Sequence, residues 1–308
     1  VDEPLLVVGP GAVGLTLTAG FRRSGERVAL LGRTAAAERR LAASGFVATA
    51  SDGRADLVRG GLLSARALKA PARAAFFCVK SGDAARAAAA ARRWIGPATP
   101  VVALQNGLGH EKVFRRAFGP RRTVIGVCYF AADRPAPGDL RLNGGEDVLL
   151  ARHPGNTAAL DAARALLSAA GFRVHIKESE AGMLWTKAAF NAAVNPLGAA
   201  CAVESGRLAD DPALRELSLR ALTEAAAAAE AAGHPLDYPD MAEKLLLSGR
   251  NAPRQRNSML QDLAAGRRTE ARFILGPLLA AARRHRLKAP TLELLAAVVA
   301  RLEKRLAR

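Results

Sequence analysis

The run Gly9-Pro10-Gly11-Ala12-Val13-Gly14, placed directly after the apolar tetrad Leu5-Leu6-Val7-Val8, constrains this chain more than any other feature. The tetrad reads as a short buried strand, and the residues after the glycines read as a helix through about Ser24. In such a strand–turn–helix each glycine has its own duty. The first permits a tight turn, the second lets the backbone approach a ligand closely, and the third lets helix and strand pack tightly. The helix start presents uncapped N–H groups and the positive end of a dipole, which suits an anion. A pyrophosphate cradle of a dinucleotide site is the expectation, with Pro10, Ala12 and Val13 filling the positions between the glycines.

Beyond Ser24 strands and helices alternate. Apolar runs at Arg27–Leu31, Ala74–Val79, Pro100–Leu104, Thr123–Phe130, Asp147–Ala151 and Phe172–Ile176 read as strands, with helices over Ala84–Trp94 and Thr157–Ala170. That alternation predicts a mostly parallel sheet with helices on both faces, an α/β Rossmann-like doubly wound fold. After Lys177 no strand pattern remains. Glu178–Asn195, Pro212–Ala232, Pro239–Leu247, Asn257–Ala264, Phe273–Arg284 and Thr291–Leu306 all read as helices, with Gly233 a stop and Pro290 a start. The reading is therefore a dinucleotide-binding domain over 1–177 and an all-helical domain over 178–308, which carries substrate and catalysis. Aromatics make up only 5% of the chain, so the helical core must be built largely of Ala, Leu and Val, which favours close packing.

The end of the second strand bears on the cofactor. An acidic residue there accepts the ribose 2′-hydroxyl of NAD, whereas a guanidinium pairs with the 2′-phosphate of NADP. Here Leu30-Leu31-Gly32-Arg33-Thr34 offers Arg33 and no acid before Glu38, which points to NADPH, with NAD as the alternative. Two later strands end in Val79-Lys80 and in Gln105-Asn106-Gly107-Leu108-Gly109. Ligands of doubly wound sheets bind at these carboxyl ends, so Lys80 is a candidate for the adenosine phosphate. Asn106 is one for the ribose or nicotinamide end.

The stretch from Leu184 to Leu197 carries Lys187, Asn191 and Asn195 at i, i+4 and i+8 among apolar neighbours, so the three share one stripe of a helix. A lysine desolvated by such neighbours is tuned towards proton transfer near neutral pH. A snorkelling lysine with two amides satisfied between helices explains the same spacing, and spacing alone does not choose.

In order along the chain stand Gly9–Gly14, Arg33, Val79-Lys80, Asn106–Gly109, Lys187-x-x-x-Asn191-x-x-x-Asn195-Pro196, Ser258-Met259-Leu260-Gln261-Asp262 and Thr269-Glu270. This ordered set resembles the ketopantoate reductase family, and the resemblance spans roughly residues 5 to 300. The resemblance implies NADPH-dependent reduction of 2-dehydropantoate (ketopantoate) to pantoate, a step towards pantothenate and coenzyme A. It implies Lys187 as the general acid at the ketone oxygen and Glu270 as the residue that orients the lysine or the nascent hydroxyl. Asn191 and Asn195 would hold substrate oxygens, Ser258 the substrate carboxylate, and Asn106 the cofactor near its nicotinamide. One departure stands out: where the family commonly has Asn three positions before the substrate serine, this chain has Gln255 between Arg254 and Arg256. That bears on which 2-oxo acid is preferred. The alternatives are a reductase of another 2-oxo acid, a 3-hydroxyacid dehydrogenase-like enzyme, and a non-catalytic NADPH sensor, to which Lys187 and Glu270 would be of no use.

Composition excludes more than it proposes. The net charge of +17 raises nucleic acid as a partner, yet the arginines fall in scattered pairs such as Arg22-Arg23 and Arg283-Arg284, with no stacking platform between them. A solvated basic surface that gathers anionic ligands fits better, and no nucleic-acid partner is expected. Cys78, Cys128 and Cys201 lie far apart, and the five histidines lack metal-ligand spacing, so neither disulfides nor a metal are expected. The apolar strand at residue 5 argues against a signal peptide, and no apolar run reaches the roughly 18–20 residues of a membrane span. A cytoplasmic enzyme with a small-molecule 2-oxo acid partner is the expectation. Helical second domains of this kind often support homodimers.

Overall fold

A computed structural model describes residues 3–237 and 240–306. The chain forms two compact units. One comprises the residues up to Gln105 together with Gly109–Glu180; the other comprises Asn106–Leu108 and the chain from Ala181 onward.

The first unit is a Rossmann-like sheet with helices, as its alternating pattern predicts. Strands β1 (Leu5–Val8), β2 (Val28–Leu31), β3 (Phe46–Thr49), β4 (Ala55–Val58), β5 (Leu62–Ser64), β6 (Ala75–Phe77), β7 (Val101–Ala103), β8 (Thr123–Asp133), β9 (Asp139–Ala151) and β10 (Arg173–Lys177) form one sheet. Its order is β4-β3-β9-β8-β7-β6-β1-β2-β5, with β10 also paired to β9. From β8 through β5 every pairing is parallel. Four helices join the strands: α1 (Ala12–Arg23), α2 (Ala35–Ser44), α3 (Ala84–Ala91) and α4 (His110–Phe118); α5 (Thr157–Ala169) precedes β10. Adjacent residues of β6 show why the sheet is covered on both faces. Phe76 meets Phe21 of α1 at 4.8 Å between ring centroids, while Phe77 meets Phe114 of α4 at 4.8 Å. Successive side chains of a strand point to opposite faces, so α1 and α4 lie on opposite sides.

The sheet is less uniformly parallel than the sequence suggests. Residues Thr123–Ile125 of β8 pair parallel with β7, but Gly126–Asp133 pair antiparallel with β9. A Cβ at Gly126 would stand 2.6 Å from the carbonyl oxygen of Leu149, so only glycine lets the two strands close at the switch. The runs expected at 123–130 and 147–151 are thus parts of two long antiparallel arms. Strands β3, β4 and β5 between residues 46 and 64, and helices α2 and α4, are further additions to the expected pattern.

The second unit is helical: α6 (Glu180–Cys201), α7 (Ser205–Asp210), α8 (Pro212–Ala231), α9 (Met241–Asn251), α10 (Ser258–Ala264), α11 (Ala271–Arg284) and α12 (Pro290–Arg305). Pro239, expected to open α9, lies outside the described residues. Its core is the alanine–leucine packing the composition predicts, with Ala192, Ala221, Ala225 and Ala228 wholly buried. Helix α6 does not stop at Asn195 as expected but runs through Pro196 to Cys201. Proline there forfeits one intrahelical hydrogen bond. The flanking turns are almost entirely buried, and packing of that kind rather than local propensity sustains a helix in a protein. Among the described residues no helix is long and apolar enough to cross a membrane.

Candidate active site

The carboxyl ends of β1, β2, β6 and β7 lie side by side, because Val8 pairs with both Leu31 and Phe77, and Phe77 with Ala103. Backbone bonds extend that edge: the N–H groups of Gly9, Cys78 and Leu104 donate to the carbonyls of Leu31, Val8 and Phe77 at 2.9, 2.8 and 3.0 Å. The glycine turn, Arg33 and Lys80 therefore issue from one edge of the parallel sheet, where doubly wound folds hold their ligands.

The turn has the geometry a pyrophosphate needs. Gly9 takes φ +92°, and a Cβ there would strike Val79 at 2.7 Å. A Cβ on Gly14 would stand 2.2 Å from the carbonyl oxygen of Gly9, so helix and turn touch backbone to backbone. Gly11 is the opposite case, since a Cβ there would meet nothing within 4 Å. Gly11 is the N-cap of α1, no side chain caps that helix, and its first turn holds no acid. Open space beside an uncapped helix start suits an anion, and a dinucleotide pyrophosphate is one such group. The guanidinium of Arg134 donates to the carbonyl of Pro10 at 3.0 Å and so braces the turn.

Beyond the end of β2 the edge carries Arg33 and Glu38. Arg33 has 76% of its side chain exposed and makes a long contact to Asp83, at 3.5 Å. Burial raises the Asp83 carboxyl, but the hydrogen bond and charge of Arg86, with Arg33 behind, outweigh this and leave it below the usual carboxylate range. Glu38 is wholly buried. Its carboxylate accepts from the Ser64 hydroxyl at 2.7 Å and from the Gly32 N–H at 3.1 Å, and lies 3.4 Å from Arg66 Nε. Glu38, the first acid in sequence after β2, is thus turned inward and satisfied. Lys80 is half-buried at the end of β6.

In the helical unit, Asn191 and Asn195 are only 5% and 6% exposed, while Lys187 on the same stripe is half-buried. The Lys187 ammonium lies 5.8 Å from the centroid of the Phe190 ring. Asn106 belongs to this unit, and its Oδ1 accepts from Asn191 Nδ2 at 3.4 Å. The adjoining loop is fixed by Gly107, at φ +84°, where a Cβ would stand 2.5 Å from the Phe273 carbonyl oxygen. That carbonyl also accepts from the N–H of Leu108 at 2.9 Å.

Glu270 is the half-buried N-cap of α11. Its neighbour Thr269 is locked by Glu303 of α12, which accepts from both the Thr269 N–H and its hydroxyl at 2.6 Å. Ser258 is the exposed first residue of α10.

Two residues escape motif reading. Gln105 is buried and donates from Nε2 to the Phe77 carbonyl at 3.1 Å, joining β7 to β6 one residue before Asn106. Asn257 is buried, and its Oδ1 accepts from the Leu260 N–H at 3.0 Å, capping the helix that presents Ser258. A Cβ on Gly198 of α6 would stand 2.4 Å from Asn257 Nδ2, so glycine there admits the capping amide. The signal was an Asn before Ser-Met-Leu-Gln at a helix start, a capping pattern. No group of three or more His, Cys, Asp or Glu among the described residues could hold a metal. Burial, with Cys128 second, pushes the Cys78 thiol up, which disfavours the reactive thiolate.

A glycine turn on a parallel sheet edge, joined in one chain to a helical unit whose α6 carries half-buried Lys187 in line with buried Asn191 and Asn195, defines a Rossmann-type oxidoreductase. Comparison with known proteins narrows the class. Residues 5–155 match the family described as ketopantoate reductase PanE/ApbA, and residues 181–303 match its C-terminal part. The 2-dehydropantoate 2-reductase of Halobacterium salinarum is 31% identical over 297 residues, covering 96% of this chain and 97% of that protein. The crystal structure of a PanE/ApbA family ketopantoate reductase from Ralstonia eutropha JMP134 superposes with a TM-score of 0.84 at 26% identity, over 99% of this chain and all of that one. D-mandelate dehydrogenase in a ternary structure with NADH and anilino(oxo)acetate superposes at 0.89 over 99% of this chain and all of that one. At 22% identity, that agreement speaks for the fold alone. The chain belongs to the ketopantoate reductase family, and it is an oxidoreductase acting on a CH–OH group.

Proposed function

We propose that this chain reduces 2-dehydropantoate to pantoate with NADPH, a step of pantothenate and coenzyme A biosynthesis. The observation that carries the reading is the end-to-end kinship with a 2-dehydropantoate 2-reductase in a chain that keeps Lys187, Asn191 and Asn195 on one stripe of a helix. NADPH rather than NADH is supported by Arg33, exposed at the end of β2, and by Glu38, which is withdrawn from that surface.

When bound, the reduced nicotinamide supplies a hydride to the carbonyl carbon of the oxo acid. The chain's own residues do the rest. Lys187 donates a proton to the ketone oxygen as negative charge develops there, which removes the cost of a free alkoxide. The Glu270 carboxylate orients the ammonium or the nascent hydroxyl. Asn191 and Asn195, buried in α6, hold substrate oxygens with little rotational freedom, and Asn106 braces Asn191 and serves the cofactor near its nicotinamide. The Ser258 hydroxyl donates to the substrate carboxylate at the start of α10, where the helix dipole also favours an anion. Gly9, Gly11 and Gly14 with Pro10, Ala12 and Val13 cradle the pyrophosphate, and Lys80 serves the adenosine phosphate.

A second reading, reduction of a different 2-oxo acid, is favoured by the exposed cations Arg254 and Arg256 beside Gln255, ahead of Ser258. The test of the main reading is isotopic. NADPH deuterated at the transferable position of C4 should deliver its label to C2 of pantoate. Product without the label, or no pantoate, would refute it.

A further inference from the structure

Arg66 is assigned no task by any motif, yet it stands beside the cofactor edge. Strand β5 pairs in parallel with β2, placing Val28 beside Leu62 and Leu30 beside Ser64. Glu38, which accepts from the Gly32 N–H and lies 3.4 Å from Arg66 Nε, brings Arg66 near Gly32, one residue before Arg33. The chain leaves β5 through a short 3-10 turn, Ala65–Ala67, whose first residues are fixed by Ser64: its hydroxyl accepts from the Arg66 N–H at 3.3 Å while donating to Glu38.

The Glu38 carboxylate is an unusual neighbour. A wholly desolvated carboxylate is costly unless donors surround it. Glu38 has two, the Ser64 hydroxyl and the Gly32 N–H, with the Arg66 guanidinium as its charge partner. It thereby ties the ends of β2 and β5 to one another through α2. Arg66 meets it through Nε at 3.4 Å, and 46% of the Arg66 side chain remains exposed. A guanidinium engaged at Nε still has its terminal N–H groups to offer, in the planar fork that matches a phosphate.

We infer that Arg66 is a second specificity-determining cation for the cofactor's 2′-phosphate, anchored by buried Glu38 and acting beside Arg33. The inference rests on the NADPH reading above. It gives Glu38 a positioning role and explains why an acid near the end of β2 does not repel the phosphate. Its negative charge is withdrawn from solvent and serves to aim a positive one.

The test uses binding rather than turnover. Calorimetric titration of the full chain with 2′,5′-ADP and with 5′-ADP isolates the contribution of the 2′-phosphate. In the wild type, 2′,5′-ADP should bind much more tightly. Arg66→Ala should weaken 2′,5′-ADP roughly tenfold, equivalent to about 1.4 kcal/mol, and leave 5′-ADP within about twofold. Arg66→Lys, which keeps the charge but loses the fork, should fall between. Equal weakening of both ligands, or no weakening of either, would overturn the inference and return Arg66 to the status of a structural partner for Glu38. A wild type that binds both ligands alike would overturn the NADPH reading itself, and the inference with it.

Discussion

Asn191 donates from its side-chain amide to that of Asn106 at 3.4 Å, across 85 residues of sequence. One partner follows β7 and the other sits mid-way along α6. Lys187 lies one helical turn before Asn191, so the amide pair fixes the stripe on which the lysine stands.

Lys187→Ala should separate chemistry from cofactor binding. Loss of a general acid typically costs about 100- to 10,000-fold in rate. The variant should lose kcat by that order while a fluorescence titration returns the wild-type affinity for NADPH. A near wild-type kcat would remove the lysine from the mechanism.

Gly11 separates the cofactor cradle from the fold. A Cβ there meets no protein atom within 4 Å, and the backbone φ of −84° suits any residue. Gly11→Ala should therefore leave Tm within about 2 °C, since changes that neither strain the backbone nor overpack a core are nearly neutral. It should still weaken NADPH by more than roughly tenfold, because the methyl occupies space the pyrophosphate needs. Gly14→Ala, with a 2.2 Å clash, should instead lower Tm outright. Equal losses of Tm in the two variants would contradict the geometry.

How much of this could be read from sequence depended on which force sets each element. The glycine turn and the α6 stripe were legible because local pattern and final structure agree there. The hairpin of β3 and β4 was not, since Ala55 to Leu57 are exposed edge residues without hydrophobic alternation. Helix α2 was obscured because the residue it buries is not apolar but Glu38, satisfied by Ser64 and Gly32 from neighbouring elements. The continuation of α6 past Pro196 reflects tertiary burial, which no local rule about proline anticipates. Ser258 was legible as a motif, but its support by Asn257 and Gly198 is a contact between distant helices.

Asn257→Ala should act on that support. Removing an Asn N-cap costs about 1 kcal/mol, with a range of roughly 0.5–2. Chemical denaturation should show a loss of that size. Steady-state kinetics should show a raised KM for the oxo acid with kcat and NADPH affinity little changed, because Ser258 loses its register. A kcat effect without a KM effect would count against Ser258 as the carboxylate ligand.

His110 sets a pH dependence. It is 2% exposed, and neither ring nitrogen has a partner among the described residues. Burial lowers its pKa to about 4, opposed by Glu111 and assisted by Arg115. The unfolded chain therefore takes up a proton near pH 6.5 that the folded chain refuses. This contribution is whole above pH 6.5 and is lost as pH falls from there towards 4, on the order of 3 kcal/mol at most. Urea unfolding between pH 7.5 and 5 should show stability falling with pH in the wild type, and a flatter profile in His110→Gln. Identical profiles would mean the imidazole is solvated.

The decisive measurement is kcat/KM from NADPH oxidation with ketopantoate and with a panel of other 2-oxo acids, repeated with NADH. Ketopantoate with NADPH should exceed every other pairing by at least roughly tenfold, a difference of about 1.4 kcal/mol in transition-state binding. A higher value for another oxo acid, or for NADH with ketopantoate, would contradict the proposed reaction.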